Sequence, residues 1–189
     1  MHTRLNTGQG FSLIEVLVTL IVLGVGLVAV AKFQSNVIES GALAKARTVA
    51  AHLAQQKLDD LRNYEALAPP ASTTAAAASV FYKDIADNAG GAKNASGTLL
   101  MSPGTVAISS VTYTLNWSVV NYYYPKTATG FTPNTSATTT APSPLPSYPA
   151  YKQITIPVTW TDQHGNQQQV QLRSIISAHD PSYSGLAVE

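Results

Sequence analysis

The first part of the chain is an unbroken apolar run, and the residues after it alternate between apolar and polar with helical spacing. The run extends from Phe11 to Ala31, and its 21 residues would span about 31 Å as an α-helix. This length matches the hydrocarbon core of a bilayer, so residues 11–31 are predicted to form a transmembrane helix. Residues 32–67 are predicted to continue it as the amphipathic half of one helical spine.

The amphipathic half predicts one buried stripe and one solvated face. The charged residues Lys57, Asp59 and Arg62 are assigned to the solvated face, and Asp59 and Arg62 are spaced for an i,i+3 ion pair. Two prolines at 69–70 predict that the helix ends near residue 67, because proline lacks an amide hydrogen and disfavours helical geometry before it. The apolar stripe consists of Leu43, Ala46, Ala50, Leu53, Leu58 and Leu61.

The period then changes from helical spacing to strict alternation, which predicts strands. Residues 68–110 are rich in Ala, Ser, Thr and Gly and are predicted to form a connecting loop. Residues 111–189 are predicted to form a small antiparallel β-sheet. Its first strand runs over residues 111–119, where Val, Tyr, Leu and Trp alternate with Thr, Asn and Ser.

A second alternating pair predicts a β-hairpin. Residues 154–160 and 170–176 alternate, and the sequence Asp-Gln-His-Gly-Asn at 162–166 supplies the turn. Pro157 lacks an N–H donor, so its strand is predicted to lie at an edge or to be bulged there. Residues 125–150 contain six prolines among Thr, Ser and Ala and are predicted to form an extended, mobile loop between the strands. A long helix followed by these strands indicates an α+β fold.

Composition narrows the function classes. The net charge of +1 gives no basic footprint, so no direct binding of nucleic acid is expected. The chain has no cysteine, which excludes disulfides, thiolate metal sites and cysteine nucleophiles. No catalytic, cofactor or metal site is predicted, because no third ligand or nucleophile stands at a recognisable spacing from the histidines. These histidines are His2, His52, His164 and His179.

Glu15 is the one charged residue inside the apolar run. An acidic side chain at the centre of a bilayer costs roughly 2.5–3.5 kcal/mol, so it usually marks a functional pairing within the membrane. Two simpler interpretations are a secretory signal peptide, with a small-residue cleavage pattern at residues 29–31, and a plain membrane anchor. The signal peptide disagrees with the length of the run and with Glu15, and the plain anchor leaves Glu15 unexplained.

The segment Gly10-Phe11-Ser12-Leu13-Ile14-Glu15 and the apolar residues after it resemble the cleavage and methylation site of the type IV pilin family. The resemblance implies that residues 1–10 are a prepilin leader, that a prepilin peptidase cuts after Gly10, and that Phe11 becomes the N-methylated first residue. It also implies the type IV pilin fold, in which a long N-terminal helix packs on a small antiparallel sheet. Glu15 would then neutralise the free amine of Phe11 on a neighbouring subunit during assembly.

The leader and the resemblance together predict a location and a set of partners. Arg4 precedes the apolar run and no acidic residue does, so the N-terminus is predicted to be cytoplasmic and the C-terminal region periplasmic in a bacterial inner membrane. The expected partners are membrane lipid before assembly, the prepilin peptidase, the assembly machinery of the inner membrane, the major pilin and other minor pilins. The final location would be the pilus fibre or its tip.

Two later segments resemble PilV-type minor pilins, also called type IV pilus modification proteins. They are residues 53–58, Leu-Ala-Gln-Gln-Lys-Leu, and residues 160–165, which contain Trp160, Asp162 and Gly165. This resemblance implies a non-catalytic subunit that takes part in the initiation or tip assembly of type IV pili, with consequences for adhesion and twitching motility. Two alternatives stay open: an I-type pseudopilin of type II secretion, and a membrane-anchored binding or adhesin module that would function without Glu15.

Overall fold

The computed structural model describes residues 12–68, 80–124, 126–127, 130–131, 137–141 and 148–179. The predicted leader, the cleavage residues Gly10 and Phe11, and most of the 125–150 loop lie outside these residues. The chain divides into two compact units, Met1–Lys45 and Ala46–Glu189. Each unit is described by itself below.

The long helix predicted at the N-terminus is present as α1, Leu13–Arg62. Every described residue of the first unit up to Ala42 is exposed. In the second unit the predicted stripe is buried on one side of α1, and Ala50 and Leu61 have no exposed surface. The helix therefore presents apolar residues on all sides in its first part and on a single face in its last part.

The helix ends at Arg62, so the predicted end near residue 67 is wrong. The chain turns into an extended segment because its backbone finds partners elsewhere: the Glu65 N–H donates to the Val80 carbonyl at 2.8 Å, and the Tyr82 N–H donates to the Ala66 carbonyl at 2.8 Å. The ring of Tyr64 packs against that of Tyr82 with centroids 5.2 Å apart. These contacts replace the last helical turn that the sequence pattern predicts.

The second unit contains an antiparallel sheet built around one long central strand. In chain order the strands are β1 (Gly104–Ile108), β2 (Val111–Leu115), β3 (Ser118–Tyr122), β4 (Lys126–Thr127), β5 (Gly130–Phe131), β6 (Tyr151–Thr161) and β7 (Gln167–Ser177). β6 pairs with β7 on one side and with β2 and β3 on the other, β1 pairs with β2, and β4 and β5 form a separate two-stranded piece. A long N-terminal helix packed on a small antiparallel sheet confirms the predicted α+β class and is consistent with the type IV pilin fold.

The single strand predicted over residues 111–119 is two strands in one register. Leu115 faces Val158 and Ser118 faces Thr155, so β2 and β3 lie end to end along β6. The ladder is interrupted at Asn116, whose N–H donates to the Pro157 carbonyl at 3.4 Å and receives no bond in return because proline has no N–H. Pro157 disturbs the ladder as expected, but its predicted edge position is wrong, since β6 is central.

The connecting loop predicted over residues 68–110 is also shorter than expected, because it contains β1. Ser109 and Ser110 join β1 to β2 with φ angles of 50° and 68°, the left-handed backbone of a tight hairpin turn. Asn and Gly usually occupy such positions, so two serines gave no turn signal. The loop prediction is therefore wrong for its last residues.

The core lies between the last part of α1 and one face of the sheet. The predicted inward residues of the strands are buried or half-buried, and the residues between them are more exposed, which confirms the alternation in both sheet regions. The fully buried members are Tyr113, Leu115, Trp117, Ile154, Ile156, Val158, Trp160 and Ile176 from the sheet and Ala46, Ala50, Leu53, Leu58 and Leu61 from the helix.

Candidate functional site

The predicted assembly carboxylate lies in the first turn of α1. The Ser12 carbonyl accepts hydrogen bonds from the Glu15 N–H at 3.0 Å and the Val16 N–H at 3.2 Å, which begins the helix. Glu15 is exposed, and its negative charge near the helix N-terminus complements the helix dipole. The structure thus places an accessible carboxylate at the start of the apolar segment.

The surroundings of Glu15 along the helix are apolar. It is the only ionisable side chain between Ser12 and Ala31. The residues of α1 that follow Glu15 up to Ala31 are almost all apolar, and none of them is buried within the protein. By length and composition α1 is able to cross a membrane, which supports membrane anchoring of this part of the chain.

The predicted processing site, Gly10 and Phe11, lies outside the described residues, so its geometry stays a prediction. Phe11 precedes Glu15 by four residues in the sequence.

Comparison with known proteins points to the same segment. Residues 6–31 match the model of the prokaryotic N-terminal methylation motif. No curated protein and no solved structure matches the chain. The motif indicates a type IV pilin-like or pseudopilin-like protein, which implies processing by a prepilin peptidase and assembly into pilus-like machinery.

The second unit contains a buried ion pair that the sequence analysis missed. Lys57 was assigned to the solvated face, and this prediction is wrong, because the side chain has no exposed surface. Its Nζ donates to Asp60 Oδ2 at 2.8 Å and to the Gly90 carbonyl at 2.9 Å, and it lies 4.2 Å from the centroid of a Trp117 ring. Burial lowers the pKa of Lys57, and the hydrogen bond and charge of Asp60 oppose that shift.

The expected ion pair between Asp59 and Arg62 is replaced by other contacts. The ion pair of this part of the helix is the one between Lys57 and Asp60, and the Arg62 guanidinium donates to the Ser174 hydroxyl at 2.6 Å. The spacing of the charges was suited to either pair. The loop that contains Gly90 adds a second acceptor for the Lys57 ammonium.

That loop, residues 87–91, has a structural role that the sequence analysis did not assign. Asn88 Oδ1 accepts the Trp117 N–H at 2.9 Å, and the Trp117 indole donates to the Ala89 carbonyl at 3.0 Å. Asp87 Oδ1 accepts the Val119 N–H at 2.6 Å. The loop therefore satisfies the backbone where the ladder is interrupted beside Pro157. The cluster of Asp, Asn and Gly was the available signal for such a tight turn.

A second lysine, Lys152 of β6, is also buried. Its Nζ donates to the Ile85 carbonyl and lies 5.0 Å from the centroid of the Tyr82 ring. Burial lowers the pKa of Lys152 to about 8, against a smaller upward effect of Asp84. The Tyr82 hydroxyl donates to the Pro149 carbonyl at 3.2 Å, and burial raises the pKa of that hydroxyl. Both side chains link the sheet to the segment that follows the helix.

The remaining candidate residues lie either at the turn between β6 and β7 or at exposed positions. Asp162 accepts the backbone N–H groups of His164 at 2.9 Å and Asn166 at 2.8 Å, which confirms the predicted turn. The hydrogen bond from the Asn166 backbone is the main reason why the pKa of Asp162 is lowered. Within the described ranges no group of three His, Asp or Glu side chains is arranged to hold a metal ion.

Proposed function

We propose that this chain is a minor pilin, a non-catalytic subunit that takes part in the initiation or tip assembly of type IV pili. The carrying observation is a single carboxylate, Glu15, in the first turn of an exposed apolar helix that matches the N-terminal methylation motif. A plain membrane anchor does not require a charge in its apolar segment. A subunit whose helix must align axially with the helices of other subunits does require one, because the charge pairs with an opposite charge in one alignment.

The proposed chemistry follows from the placement of two charges. Cleavage after Gly10 leaves a free amine on Phe11, and the amine of one subunit pairs with the Glu15 carboxylate of another. Each charge is costly alone in an apolar setting, and breaking a buried pair by removing one partner costs about 3–5 kcal/mol. The pair therefore favours one axial register of the helices over all others.

The second unit supplies the contacts that distinguish one subunit from another. In this proposal the segment that begins at Phe11 crosses the inner membrane before assembly, with the N-terminus cytoplasmic and the sheet periplasmic. The assembly machinery then moves the subunit into the fibre, where the sheet meets the major pilin and other minor pilins. The similarity of residues 53–58 and 160–165 to PilV-type sequences supports the minor pilin branch.

An I-type pseudopilin of type II secretion is the closest alternative, because the methylation motif is shared by both classes. Deleting the gene separates them: loss of surface pili supports the minor pilin, and loss of protein secretion with intact pili supports the pseudopilin. A membrane-anchored adhesin is the second alternative. It predicts that adhesion persists when Glu15 is replaced.

The first experiment measures the N-terminus of the processed chain. The full chain is coexpressed with a prepilin peptidase, extracted from the membrane and analysed by mass spectrometry, with a Gly10→Leu variant as the control. We expect a wild-type product that begins at methylated Phe11 and an uncut variant. A wild-type product that begins at Lys32 would indicate a signal peptide, and an uncut one would indicate a plain anchor, so either would overturn the proposal.

A further inference from the structure

The outer edge of β7 is a long strand edge whose outward backbone groups, apart from the Ser177 carbonyl, have no hydrogen-bond partner among the described residues. β7 has eleven residues and pairs only with β6. At each end of the hairpin, the backbone hydrogen bonds between the two chain segments join even-numbered residues. The Asp162 N–H donates to the Asn166 carbonyl, and the Ala178 N–H donates to the Ala150 carbonyl. Because the ladder alternates, the N–H and carbonyl groups of the odd-numbered residues of β7 point outward.

One outward group shows where the free edge ends. The Ser177 carbonyl accepts the Tyr64 hydroxyl at 2.9 Å, so this end of β7 is occupied by the segment after α1. No hydrogen bond from the described residues reaches the outward backbone groups of Gln169, Gln171 and Arg173. The free edge therefore extends from Gln167 to Ile175, about 30 Å of strand.

Natural sheets usually protect such edges, and among the described residues this edge has little of that protection. Short edge strands, charged side chains, prolines, bulges and a covering helix or loop are the common devices. β1, the opposite edge, is short, with five residues, whereas β7 is long, regularly paired and free of proline, with Arg173 as its one charged residue. A strand edge of this length with no partner among the described residues is a ready template for an added strand.

Arg173 is the charged side chain of β7 itself, and the Asp162 carboxylate lies at the turn end of the hairpin, where it accepts the Gln168 side-chain amide at 3.1 Å. Arg173 projects from β7, and a pocket of about 270 Å³ beside the strand end is lined by Arg62, Tyr64, Ile175, Ile176, Ser177 and His179. No acidic side chain is among the residues of β7 or those that line the pocket. A second copy of β7 would bring a further Arg173 to this edge, whereas an acidic strand would bring the complementary charge.

We propose that the outer edge of β7 binds an extended, acidic segment of a partner polypeptide, which adds to the sheet as one more strand with an acidic side chain opposite Arg173. The outward groups of Gln169 and Gln171 supply main-chain hydrogen bonds, and Arg173 supplies the preference for charge. The inference rests on the sheet alone and goes beyond the proposed assembly role of the N-terminal helix.

The test uses the full chain in detergent micelles and a labelled nine-residue peptide of alternating threonine and valine with glutamate at its centre. Binding is measured by fluorescence polarisation, and a peptide with lysine at the centre is the matched probe. Gln169→Pro removes one outward N–H without removing a bond to β6, and Gln169→Ala removes the side chain but keeps the N–H. Arg173→Glu reverses the charge of the edge.

The expected results distinguish the contribution of the Gln169 backbone N–H to binding from that of the Gln169 side chain. Gln169→Pro should weaken binding of the glutamate peptide by about tenfold or more, and Gln169→Ala should leave it within about twofold. Arg173→Glu should shift the preference from the glutamate peptide to the lysine peptide. Equal losses in Gln169→Pro and Gln169→Ala, or equal binding of both peptides by every variant, would overturn the proposal.

Hydrogen exchange of the wild-type protein tests the proposal even if the Gln169→Pro variant fails to fold. With wild-type protein, the glutamate peptide should slow exchange of the Gln169, Gln171 and Arg173 amides by about tenfold or more. Unchanged exchange at these amides would contradict strand addition. Self-association of the peptide-free chain that protects the same amides would assign the edge to a second copy and would also overturn the proposal.

Discussion

The two parts of helix α1 use the same residue types in opposite ways. Leu23, in the first unit, is 59% exposed, whereas Leu58, in the second unit, is 5% exposed. Both leucines lie in one continuous helix with regular backbone hydrogen bonds. The sheet buries the second leucine, and nothing within the described residues of the first unit buries the first.

The difference shows that the helical conformation alone does not determine the role of each part of α1. The residues or molecules that surround each part determine it. The last part of α1 is explained by the chain alone, since its stripe fits the sheet. Residues 13–31 of the first part have an apolar surface on all sides and one carboxylate, Glu15, which indicates an environment supplied from outside the chain. In the proposed function Glu15 acts in that external environment, whereas Lys57 is buried within the second unit.

The largest expected effect concerns the carboxylate of the exposed part. Glu15→Val should leave membrane insertion intact and reduce incorporation into filaments by about a hundredfold or more, because an unpaired buried amine costs about 3–5 kcal/mol. The measurement is the amount of tagged subunit in sheared filaments, relative to the amount in the membrane. Thr19→Val, one turn further along, is the control and should be incorporated normally. Normal incorporation of Glu15→Val would contradict the proposed role.

The second prediction makes the same substitution in both parts of the helix. Leu58→Ala should lower the free energy of unfolding of the second unit by about 2–5 kcal/mol, because it leaves a cavity against the sheet. Leu23→Ala should change that free energy by less than about 0.5 kcal/mol. Urea unfolding of the full chain in detergent, followed by tryptophan fluorescence, measures both. Equal effects would mean that the two parts do not differ as the structure indicates.

The third prediction compares three glycines. A Cβ at Gly91, where φ is 102°, would lie 2.6 Å from Lys57 Nζ and would also meet the Asp60 carboxylate, so Gly91→Ala displaces the buried ion pair. We expect a loss of about 2–3 kcal/mol of unfolding free energy. Gly97, with φ of 77° and open space around it, is the control for backbone strain alone, with a loss of about 1 kcal/mol.

In the exposed part of the helix the same change meets no atoms. Gly24→Ala places its Cβ in open space, so the unfolding free energy of the second unit should be unchanged. The three variants are ranked by urea midpoints under identical conditions. A loss for Gly91→Ala no larger than that for Gly97→Ala would show that the ion pair tolerates displacement.

The smallest expected effect is a pH dependence confined to the second unit. Burial lowers the pKa of Lys152 from 10.5 to about 8 in the folded chain. Between these values the unfolded state binds more protons than the folded state, so stability rises with pH by about 1 kcal/mol from pH 8 to pH 9. Below about pH 7 the lysine is charged in both states and its contribution is constant.

The buried tyrosines limit this window from above. The pKa values of Tyr82 and Tyr113 are raised by burial, so above about pH 10 the unfolded state loses tyrosine protons first and stability falls again. Urea unfolding at half-unit pH steps measures the profile. Lys152→Met should flatten the rise, leaving the part due to Lys57. A wild-type profile that does not rise between pH 8 and pH 9 would contradict this assignment.

The helix stripe and the inward faces of the strands were predictable because residues buried on one face recur in the sequence with the period of a helix or a strand. Alternation identified Tyr113, Leu115, Ile154 and Ile156 as inward residues, and helical spacing identified Leu58 and the rest of the stripe. The N-terminal motif was equally visible, because a lone Glu15 in an apolar run has few physical explanations. These features depend on residues close together in the sequence.

The errors arose where distant segments meet. The helix stops at Arg62 because residues 65–67 pair with the segment after Val80, and Lys57 is buried because a loop more than thirty residues away brings the Gly90 carbonyl to it. Neither contact has a periodic signature. β1 was missed for a local reason, since Ser109 and Ser110 adopt a turn conformation that serine seldom signals.

The helix stripe packs against a sheet whose central strand, β6, is synthesised much later than the helix, and this affects what the nascent chain exposes. The ribosome completes Leu61 about 90 residues before Ile154, and at about 5–20 residues per second this interval is roughly 5–20 s. During it the stripe has no sheet to cover it, so the nascent chain exposes apolar surface along the whole of α1. Delivery to the membrane or shelter by a chaperone must therefore begin before the central strand β6 is made.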